Sequence, residues 1–288
     1  MEDTLIIMNP AAKGEKAARF VERIGQLAAG AEIRLTTAVG DAEKIAREAA
    51  QSGYKTVVAA GGDGTINEVV NGIGESRVNL GILPVGTMNV LAAELGLPVK
   101  DLAACWSVIT DGHVQRIDLA KANDRYFVQL AGVGLDAQVV RETDLQFRKH
   151  FGPLSYVVSL AQIAARIPPK LEIHTPDGAT RNGCFVLIGN GRYYGGPFHV
   201  FSDAAIDDGL LDVLIFHDLG YLDIVRYTQS LLFGGLSKLS DVDYFQTPSL
   251  RVTSEEEVPV ELDGEVDFDV PVEFSIAKTK LGVCAPAK

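Results

Sequence analysis

The sequence has few cysteines and no long apolar run. Three of its 288 residues are cysteine, and Cys105, Cys184 and Cys284 stand far apart. Their odd number and wide spacing suggest neither a disulfide framework nor a C-x-x-C metal site, so we expect reduced, buried thiols. No apolar stretch reaches the ~20 residues that cross a bilayer. We expect no secretion signal, because acidic rather than basic residues precede the first apolar run, and we predict a cytoplasmic protein.

Positive charge is also scarce. Lys and Arg total 26 against 38 Asp and Glu, which gives a net charge of −12 and an isoelectric point near 4.9. Nucleic acid and anionic bilayers repel such a protein. We therefore expect no nucleic-acid partner, and any membrane contact must rest on apolar surface. Hydrophobic residues make up 47% of the chain, which is enough for packed cores and excludes a disordered chain.

The length and a change of pattern near His113 predict two domains, at roughly 150 residues per domain. Before His113, short apolar runs alternate with amphipathic stretches, which is typical of a parallel sheet covered by helices. After it, most apolar runs are of the β type and favour a largely antiparallel domain. We predict an α/β domain over residues 1–121 and a β-rich domain over residues 122–276.

The apolar runs and their periodicity predict individual elements. In the first domain, Asp41 is the expected N-cap of its helix. The predicted strands of that domain are Leu5–Met8, Glu32–Thr36, Thr56–Ala60 and Leu80–Leu83, and its helices are Glu15–Ala29 and Asp41–Gln51. The later strands are Val114–Ala120, Tyr126–Leu130, Leu171–Thr175, Cys184–Ile188, Leu211–Phe216, Arg251–Thr253, Val258–Leu262 and Val272–Ile276, and the later helices are Leu154–Arg166 and Leu222–Phe233.

Glycine-rich loops follow two of the predicted parallel strands. Such sheets bind ligands at the carboxyl ends of their strands, so the loops that begin at Asn9, Thr36, Gly61 and Pro84 should meet at one edge. The segment Gly61-Gly62-Asp63-Gly64-Thr65 lets backbone amides approach a phosphate at a helix start. Asp63 would repel a bare phosphate, so the loop suits nucleotide phosphates with Mg²⁺. The alternative is a tight turn in which Asp63 caps a helix.

Other motifs are ambiguous when each is taken alone. Gly86-Thr87-Met88-Asn89 is also compatible with an ordinary capped helix start. Asp263-Gly264-Glu265 can aim two carboxylates into one cleft, but Asp-Gly is also a common hairpin turn. Asp207-Asp208-Gly209-Leu210 is compatible with a simple acidic turn. The five histidines show no metal-ligand spacing, and the chain lacks a Gly-x-Ser-x-Gly elbow, which argues against a hydrolase.

Taken in order, these motifs resemble the diacylglycerol kinase catalytic family, which includes bacterial lipid kinases and sphingosine kinases. The motifs that carry the resemblance are Asn9-Pro10, Gly61 to Glu68, Gly86 to Asn89, Gly132 to Asp136, Gly189 to Arg192, Asp207 to Asp212 and Asp263 to Glu265. The resemblance implies an N-terminal NAD-kinase-like (Rossmann-like) α/β domain and a C-terminal β-sandwich-like domain. It also implies that a last strand, about Ala277 to Val283, returns to the first domain, which would then include residues 277–288.

The resemblance further implies the residues of the site. Asp263 would be the general base that takes the proton of a lipid hydroxyl, and Glu265 and Asp63 would help to hold the catalytic Mg²⁺. Asp208, with the carbonyls of Ala205 and Leu210, would hold a structural Mg²⁺. The implied ATP-binding residues are Asn9, Thr36, Gly62, Asp63, Gly64, Thr65, Ile66, Asn67, Glu68 and Thr87. Arg192 could contact phosphate.

One position departs from the family. Many bacterial members carry Asp immediately after the Asn of the second glycine loop, whereas this chain has Val90. The expectation is an ATP-dependent lipid kinase that transfers the γ-phosphate to a hydroxyl of diacylglycerol or a related long-chain lipid, with transient peripheral membrane contact. Homodimer formation stays open. The alternatives are a kinase of a soluble acceptor such as NAD, and a non-catalytic nucleotide or lipid sensor.

Overall fold

The computed structural model describes residues 3–10, 17–134, 168–194, 196, 198–233 and 235–287. The predicted helix Leu154–Arg166 and the end of the motif Gly132 to Asp136 lie outside the described residues. Within the described ranges, the strands form three six-stranded sheets and one short two-stranded sheet. One large sheet belongs with the helices of the N-terminal half, and the other two form the C-terminal half.

The described strands are β1 Thr4–Met8, β2 Glu32–Leu35, β3 Thr56–Gly61, β4 Asn79–Pro84, β5 Val114–Ile117, β6 Ala120–Ala122, β7 Arg125–Phe127, β8 Leu130–Val133, β9 Leu171–His174, β10 Thr180–Gly183, β11 Phe185–Gly189, β12 Tyr193–Tyr194, β13 Phe198–His199, β14 Leu211–Phe216, β15 Val242–Thr247, β16 Ser249–Thr253, β17 Pro259–Leu262, β18 Glu265–Asp269, β19 Val272–Ile276 and β20 Leu281–Cys284. The described α-helices are α1 Ala17–Leu27, α2 Asp41–Gln51, α3 Asp63–Ile73, α4 Val90–Glu94, α5 Leu102–Asp111 and α6 Tyr221–Phe233.

The first sheet has the strand order β2-β1-β3-β4-β20-β5. Its strands run parallel except β5, which pairs antiparallel with β20. The apolar residues of β1 and β3 are completely buried because side chains of α1, α2 and α3 pack in the same core. Val283 of β20 pairs with Leu80 of β4, so a strand from near the C-terminus lies inside this sheet.

The other two large sheets share one apolar core. Their strand orders are β10-β9-β16-β19-β6-β7 and β15-β14-β11-β8-β17-β18, and all of their pairings are antiparallel. Phe127 and Phe274 from one sheet are buried with Val186 and Val260 from the other, and α6 packs on a second core through Tyr227. The structure thus confirms the predicted fold class, an α/β N-terminal half and a β-sandwich-like C-terminal half.

Two predicted strands are wrong in their extent. The run Val114–Ala120 is predicted as one strand, but only its first four residues form β5, which extends the first sheet. The chain turns at Asp118, whose N–H donates to the Ile206 carbonyl, and only then enters β6. The run Tyr126–Leu130 is also split, because the amides at its centre bind a side chain instead of a neighbouring strand.

The predicted N-cap of α2 is wrong as well. Gly40 occupies that position with a left-handed backbone, and Asp41 is the first helical residue. The Asp41 carboxylate accepts hydrogen bonds from the amides of Thr37 and Ala38, at 2.7 and 2.9 Å. It therefore closes the loop before the helix instead of capping the helix itself.

The expected burial of the three cysteines is confirmed. Cys105, Cys184 and Cys284 are all buried and free, as expected, and burial raises the pKa of the Cys105 thiol to about 11. Among the described helices, none combines the length and the apolar character that crossing a bilayer requires.

Helices α2 and α3 meet at Gly72. A Cβ on this residue would lie 2.6 Å from the Cβ of Ala46 and would also clash with the Glu43 carbonyl. Gly72→Ala should therefore force the two helices apart and lower the free energy of unfolding by about 1–3 kcal/mol, measured by denaturant titration.

Gly25 in α1 provides the matched control. A Cβ there meets no atom within 4 Å, so Gly25→Ala should raise the free energy of unfolding by about 0.5–1 kcal/mol through helix propensity alone. If both substitutions changed stability in the same direction, the close packing at Gly72 would be contradicted.

Candidate active site

The loops predicted to converge do meet at one edge of the first sheet. The amide of Thr36 donates to the Met8 carbonyl at 2.9 Å, and the amide of Asn9 donates to the Ala60 carbonyl at 3.1 Å. Asn9 also donates through Nδ2 to the Thr65 hydroxyl at 3.4 Å. These contacts link the carboxyl ends of β2, β1 and β3, because the three strands are neighbours and parallel.

The two glycine loops pack backbone against backbone. A Cβ on Gly86 would lie 2.5 Å from the Cα of Gly62, and a Cβ on Gly62 would lie 3.2 Å from the Cα of Gly86. A side chain at either position would therefore push the loops apart. The second loop is closed by Asn89, whose Oδ1 accepts from the Gly86 amide and whose Nδ2 donates to the Gly86 carbonyl.

Asp63 lies in the first loop but binds the helix that follows the second. Its Oδ2 accepts from the amide of Asn89 at 2.9 Å, and its Oδ1 accepts from the amide of Val90 at 2.7 Å. Burial raises the pKa of Asp63, and these amides offset part of that effect. Asp63 thus begins α3 but caps α4, the helix after the second loop, instead of the helix of its own loop.

Asp263 is held by four N–H donors. Its Oδ1 accepts from the amides of Gln129 and Leu130, and its Oδ2 accepts from the amide of Val128 and from Nδ2 of Asn67, at distances between 2.8 and 3.1 Å. Burial raises the pKa of Asp263, and the hydrogen bonds lower it in part. A carboxylate offers about four acceptor positions, so a further donor could reach Asp263 only by replacing one of these four.

The backbone around Asp263 is unusual. The residue has φ +48°, a left-handed conformation that is uncommon for a residue with a Cβ. Its own amide donates to the Leu130 carbonyl at 2.9 Å. The turn therefore fixes the carboxylate against the break between β7 and β8, which explains why the predicted strand Tyr126–Leu130 is interrupted there.

Glu265 reaches the start of α3. A Cβ on Gly64 would lie 2.9 Å from Oε1 of Glu265, so the absence of a side chain at Gly64 makes room for this carboxylate. Partial burial of the carboxyl group raises the pKa of Glu265, although the residue as a whole lies at the surface, and the negative charges of Glu68 and Asp267 raise it further.

The acidic side chains at this edge suit a hard cation. Within the described ranges, no three or more His, Cys, Asp or Glu side chains are grouped to hold a metal ion. Mg²⁺ at a nucleotide site needs only one or two carboxylates together with phosphate oxygens. Glu265 lies close enough to Glu68 for like-charge repulsion to raise its pKa. A cation between them would relieve this repulsion, so these residues fit the implied group.

The remaining predicted nucleotide residues differ in exposure. Thr36 and Thr65 are buried, and the Ile66 side chain lies in the apolar core, so Ile66 can offer only its backbone to a ligand. Thr87 is exposed. Glu68 accepts from the Ala42 amide at 3.0 Å and so ties the start of α2 to the same edge.

The residues predicted to bind a structural Mg²⁺ share one turn. The Asp208 amide donates to the Ala205 carbonyl at 3.4 Å, and the Leu210 amide donates to Oδ1 of Asp208 at 2.9 Å. The buried Asp118 stabilises the turn. It accepts from the Gly209 amide at 2.6 Å and pairs with the ammonium of Lys280 at 3.1 Å. One exposed carboxylate and nearby carbonyls are donors that Mg²⁺ accepts, so the turn fits this role.

Several polar contacts of this region are not predicted from the sequence. Asn71 ties α3 to β7, because its Oδ1 accepts from the Tyr126 amide and its Nδ2 donates to the Tyr126 carbonyl. Arg192, predicted to contact phosphate, pairs through Nε with Glu94 at 2.8 Å, and its phosphate contact stays a prediction. An Asn one helical turn after Asn67 was the available signal for the first contact, whereas no local pattern indicates the second.

Comparison with known proteins supports the family resemblance for both halves of the chain. Residues 3–122 match the family model of the diacylglycerol kinase catalytic domain. Residues 129–285 match that of the YegS C-terminal NAD kinase beta sandwich-like domain. The two matches divide the chain close to the change from the first sheet to the other two.

Individual relatives agree with the family models. The chain is 32% identical to a protein of Chromohalobacter salexigens named "Probable lipid kinase YegS-like", over 99% of this chain and 93% of that one. It is 29% identical to the diacylglycerol kinase of Bacillus subtilis, over 95% and 93% of the two chains. A crystal structure of a diacylglycerol kinase from Bacillus anthracis superposes with a TM-score of 0.80 at 27% identity, covering 99% of this chain and 97% of that one. This chain therefore belongs to the diacylglycerol kinase and YegS-like family of lipid kinases.

Proposed function

We propose that this protein is an ATP-dependent lipid kinase that transfers the γ-phosphate to a hydroxyl of diacylglycerol or a related long-chain lipid. The observation that carries the proposal is the meeting of Asp263 and Glu265, from the β-sandwich half, with α3, Asp263 at Asn67 and Glu265 at Gly64. A phosphate cradle and a pair of carboxylates at one edge are what phosphoryl transfer from a nucleotide to an alcohol requires.

The nucleotide phosphates would lie at the start of α3. Gly62 and Gly64 are half-buried there, and the helix dipole favours negative charge. The side chains proposed to contact ATP are those of Asn9, Thr36, Thr65, Asn67, Glu68 and Thr87. Asp63 would keep the two glycine loops together, and because both its oxygens accept amides, its contact with a metal would run through water.

Asp263 would orient the acceptor hydroxyl and take its proton. Three of its four donors are backbone amides, and only the Asn67 side chain can turn away without moving the main chain. The acceptor hydroxyl would replace Asn67 as the donor to Oδ2. Burial raises the pKa of Asp263, which suits a proton acceptor.

Glu265 and Glu68 would hold the catalytic Mg²⁺. When bound, the ion neutralises charge on the β- and γ-phosphates. Ala205, Asp208 and Leu210 would hold a second, structural Mg²⁺ in the turn of the β-sandwich half. The proposal includes a cytoplasmic location and transient membrane contact. The cytoplasmic location is supported by three buried free thiols, which suit a reducing compartment.

Labelling identifies the acceptor. The protein should transfer ³²P from ATP, in the presence of Mg²⁺, to diacylglycerol or another neutral lipid in a mixed lipid extract that also contains sphingoid bases. Chromatography of the product identifies the lipid. Labelling of NAD offered separately would favour a soluble acceptor, and ATP binding without any labelled product would favour a sensor.

Two substitutions separate the proposed roles of the carboxylates. Asp263→Asn should lower kcat by about 10²–10⁴-fold at every Mg²⁺ concentration, because the proton acceptor is lost. Glu265→Gln should raise the Mg²⁺ concentration for half-maximal rate by about 10-fold or more and recover rate at high Mg²⁺. Steady-state kinetics and binding of a non-hydrolysable ATP analogue measure both effects.

Asp124→Asn, on a fully exposed side chain, is the matched control. It should change neither kcat nor the Mg²⁺ concentration for half-maximal rate. Thermal melting of each variant excludes loss of fold as the cause. A kcat of Asp263→Asn within threefold of the unaltered enzyme would sink the role proposed for this residue.

The proposed structural Mg²⁺ is tested by melting without nucleotide. Removing divalent cations with a chelator should lower the Tm by several degrees, since an ion at 100 times its Kd contributes about 2.7 kcal/mol. Asp208→Asn should abolish this response, whereas Asp203→Asn, an exposed neighbour, should keep it. An unchanged response in Asp208→Asn would show that the stabilising cation binds elsewhere and would contradict the site at this turn.

A further inference from the structure

Glu94 is a buried carboxylate outside every motif that the sequence indicates. It is the last residue of α4, and its side chain is 2% exposed. It accepts from Nε of Arg192 at 2.8 Å, from the Arg192 amide at 2.9 Å and from Nε2 of Gln129 at 3.1 Å. A charge at this depth is retained only when it is paired and hydrogen-bonded, so the three contacts belong together.

Gln129 connects Glu94 to Asp263. Its backbone amide donates to Oδ1 of Asp263 at 3.0 Å, and its carbonyl accepts from the Asn190 amide at 2.9 Å. Its side chain donates to Glu94 and to the Tyr193 carbonyl. A single residue therefore contacts the proposed base through its backbone and the buried carboxylate through its side chain.

Gly191 leaves the space in which the side-chain amide of Gln129 lies. A Cβ on Gly191 would be 2.5 Å from Nε2 of Gln129. The glycine is therefore required for space rather than for a special backbone angle, because Gly191 is absent from the residues with positive φ. A methyl group on residue 191 would displace the side-chain amide of Gln129 from Glu94, while Glu94 and Arg192 would stay in place.

Helix α4 is held by side-chain hydrogen bonds at both ends. Asp63 accepts from the amides of Asn89 and Val90 at its start, and Glu94 binds Arg192 and Gln129 at its end. The short helix thus joins the nucleotide loops to the segment that holds Asp263. The guanidinium of Arg192 contacts Glu94 through Nε, and this contact raises the pKa of Arg192.

We propose that Glu94 is a positioning residue for phosphoryl transfer, which rests on the proposed function. Through Gln129, Glu94 fixes the amides of residues 128–130 that hold Asp263, and Arg192 serves as the charge partner of Glu94 instead of a phosphate ligand. Residues that orient a catalytic group through one intermediate typically change activity by about 10–100-fold when replaced.

The experiment compares Glu94→Gln and Gly191→Ala with Glu48→Gln, the same amide replacement on an exposed helix side chain. Glu94→Gln should lower kcat about 10-fold or more and leave the KM for ATP within twofold. Hydrogen exchange at the amides of residues 128–130 should become faster, while that of β14 stays unchanged. Gly191→Ala should reproduce both effects, and Glu48→Gln neither.

Adding Arg192→Ala to Glu94→Gln gives the second readout. Because residues that act as one unit are not additive, the double variant should be no slower than Glu94→Gln alone. A rise in the KM for ATP as the main effect of Arg192→Ala would overturn the inference, since it would make Arg192 a phosphate ligand. Unchanged kcat and unchanged exchange at residues 128–130 in Glu94→Gln would overturn it as well.

The exchange measurement keeps this inference separate from the proposed function. If the unaltered protein phosphorylated no lipid, the proposed function would fail, whereas faster exchange at residues 128–130 in Glu94→Gln and Gly191→Ala would still support the link through Gln129. Unchanged exchange in both variants, each with an unaltered Tm, would reject the link whether or not the protein is active.

Discussion

The hydrogen bonds around the Asp263 carboxylate join the two halves of the molecule. Asn67 reaches it from α3 of the first half, and the amides of residues 128–130 reach it from the start of the β-sandwich half. Removing a carboxylate from water costs several kcal/mol unless donors compensate. Four donors do so here, and the set is complete only when Asn67 of the first half joins the three amides of the second. The position of α3, the break between β7 and β8 and the turn at Asp263 are therefore mutually dependent.

Asp63 in the first half is likewise a carboxylate that accepts hydrogen bonds from backbone amides. On sequence grounds Asp63 is either a phosphate-loop residue that needs a cation or the cap of a helix. In the structure it begins α3 and caps α4, whose start is brought beside it by the contact of Gly62 with Gly86. The two glycine loops are thus one unit, held by an acidic side chain that a simple phosphate cradle would not contain.

Much of the fold could be predicted because its signals are local. Apolar runs, helix periodicity and glycines at strand ends indicate the α/β half, the antiparallel half and the edge at which the loops meet. The sequence does not reveal β5 as a strand of the first sheet, since its partner β20 lies far along the chain. Nor does it reveal the bond from Asn67 to Asp263 or the partners of Glu94. These contacts join polar residues separated by tens to hundreds of positions, and no periodic pattern records them.

The place of β20 has a consequence for the order in which the protein can form. The chain leaves the first sheet after β5, builds the whole β-sandwich half and then returns to insert β20 between β4 and β5. During synthesis from the N-terminus, β4 has an unpaired edge until the second half has been made. The first half therefore cannot be completed as a separate unit, and the nascent chain must hold an open sheet edge, a place where chaperones or aggregation partners could bind, for most of its translation.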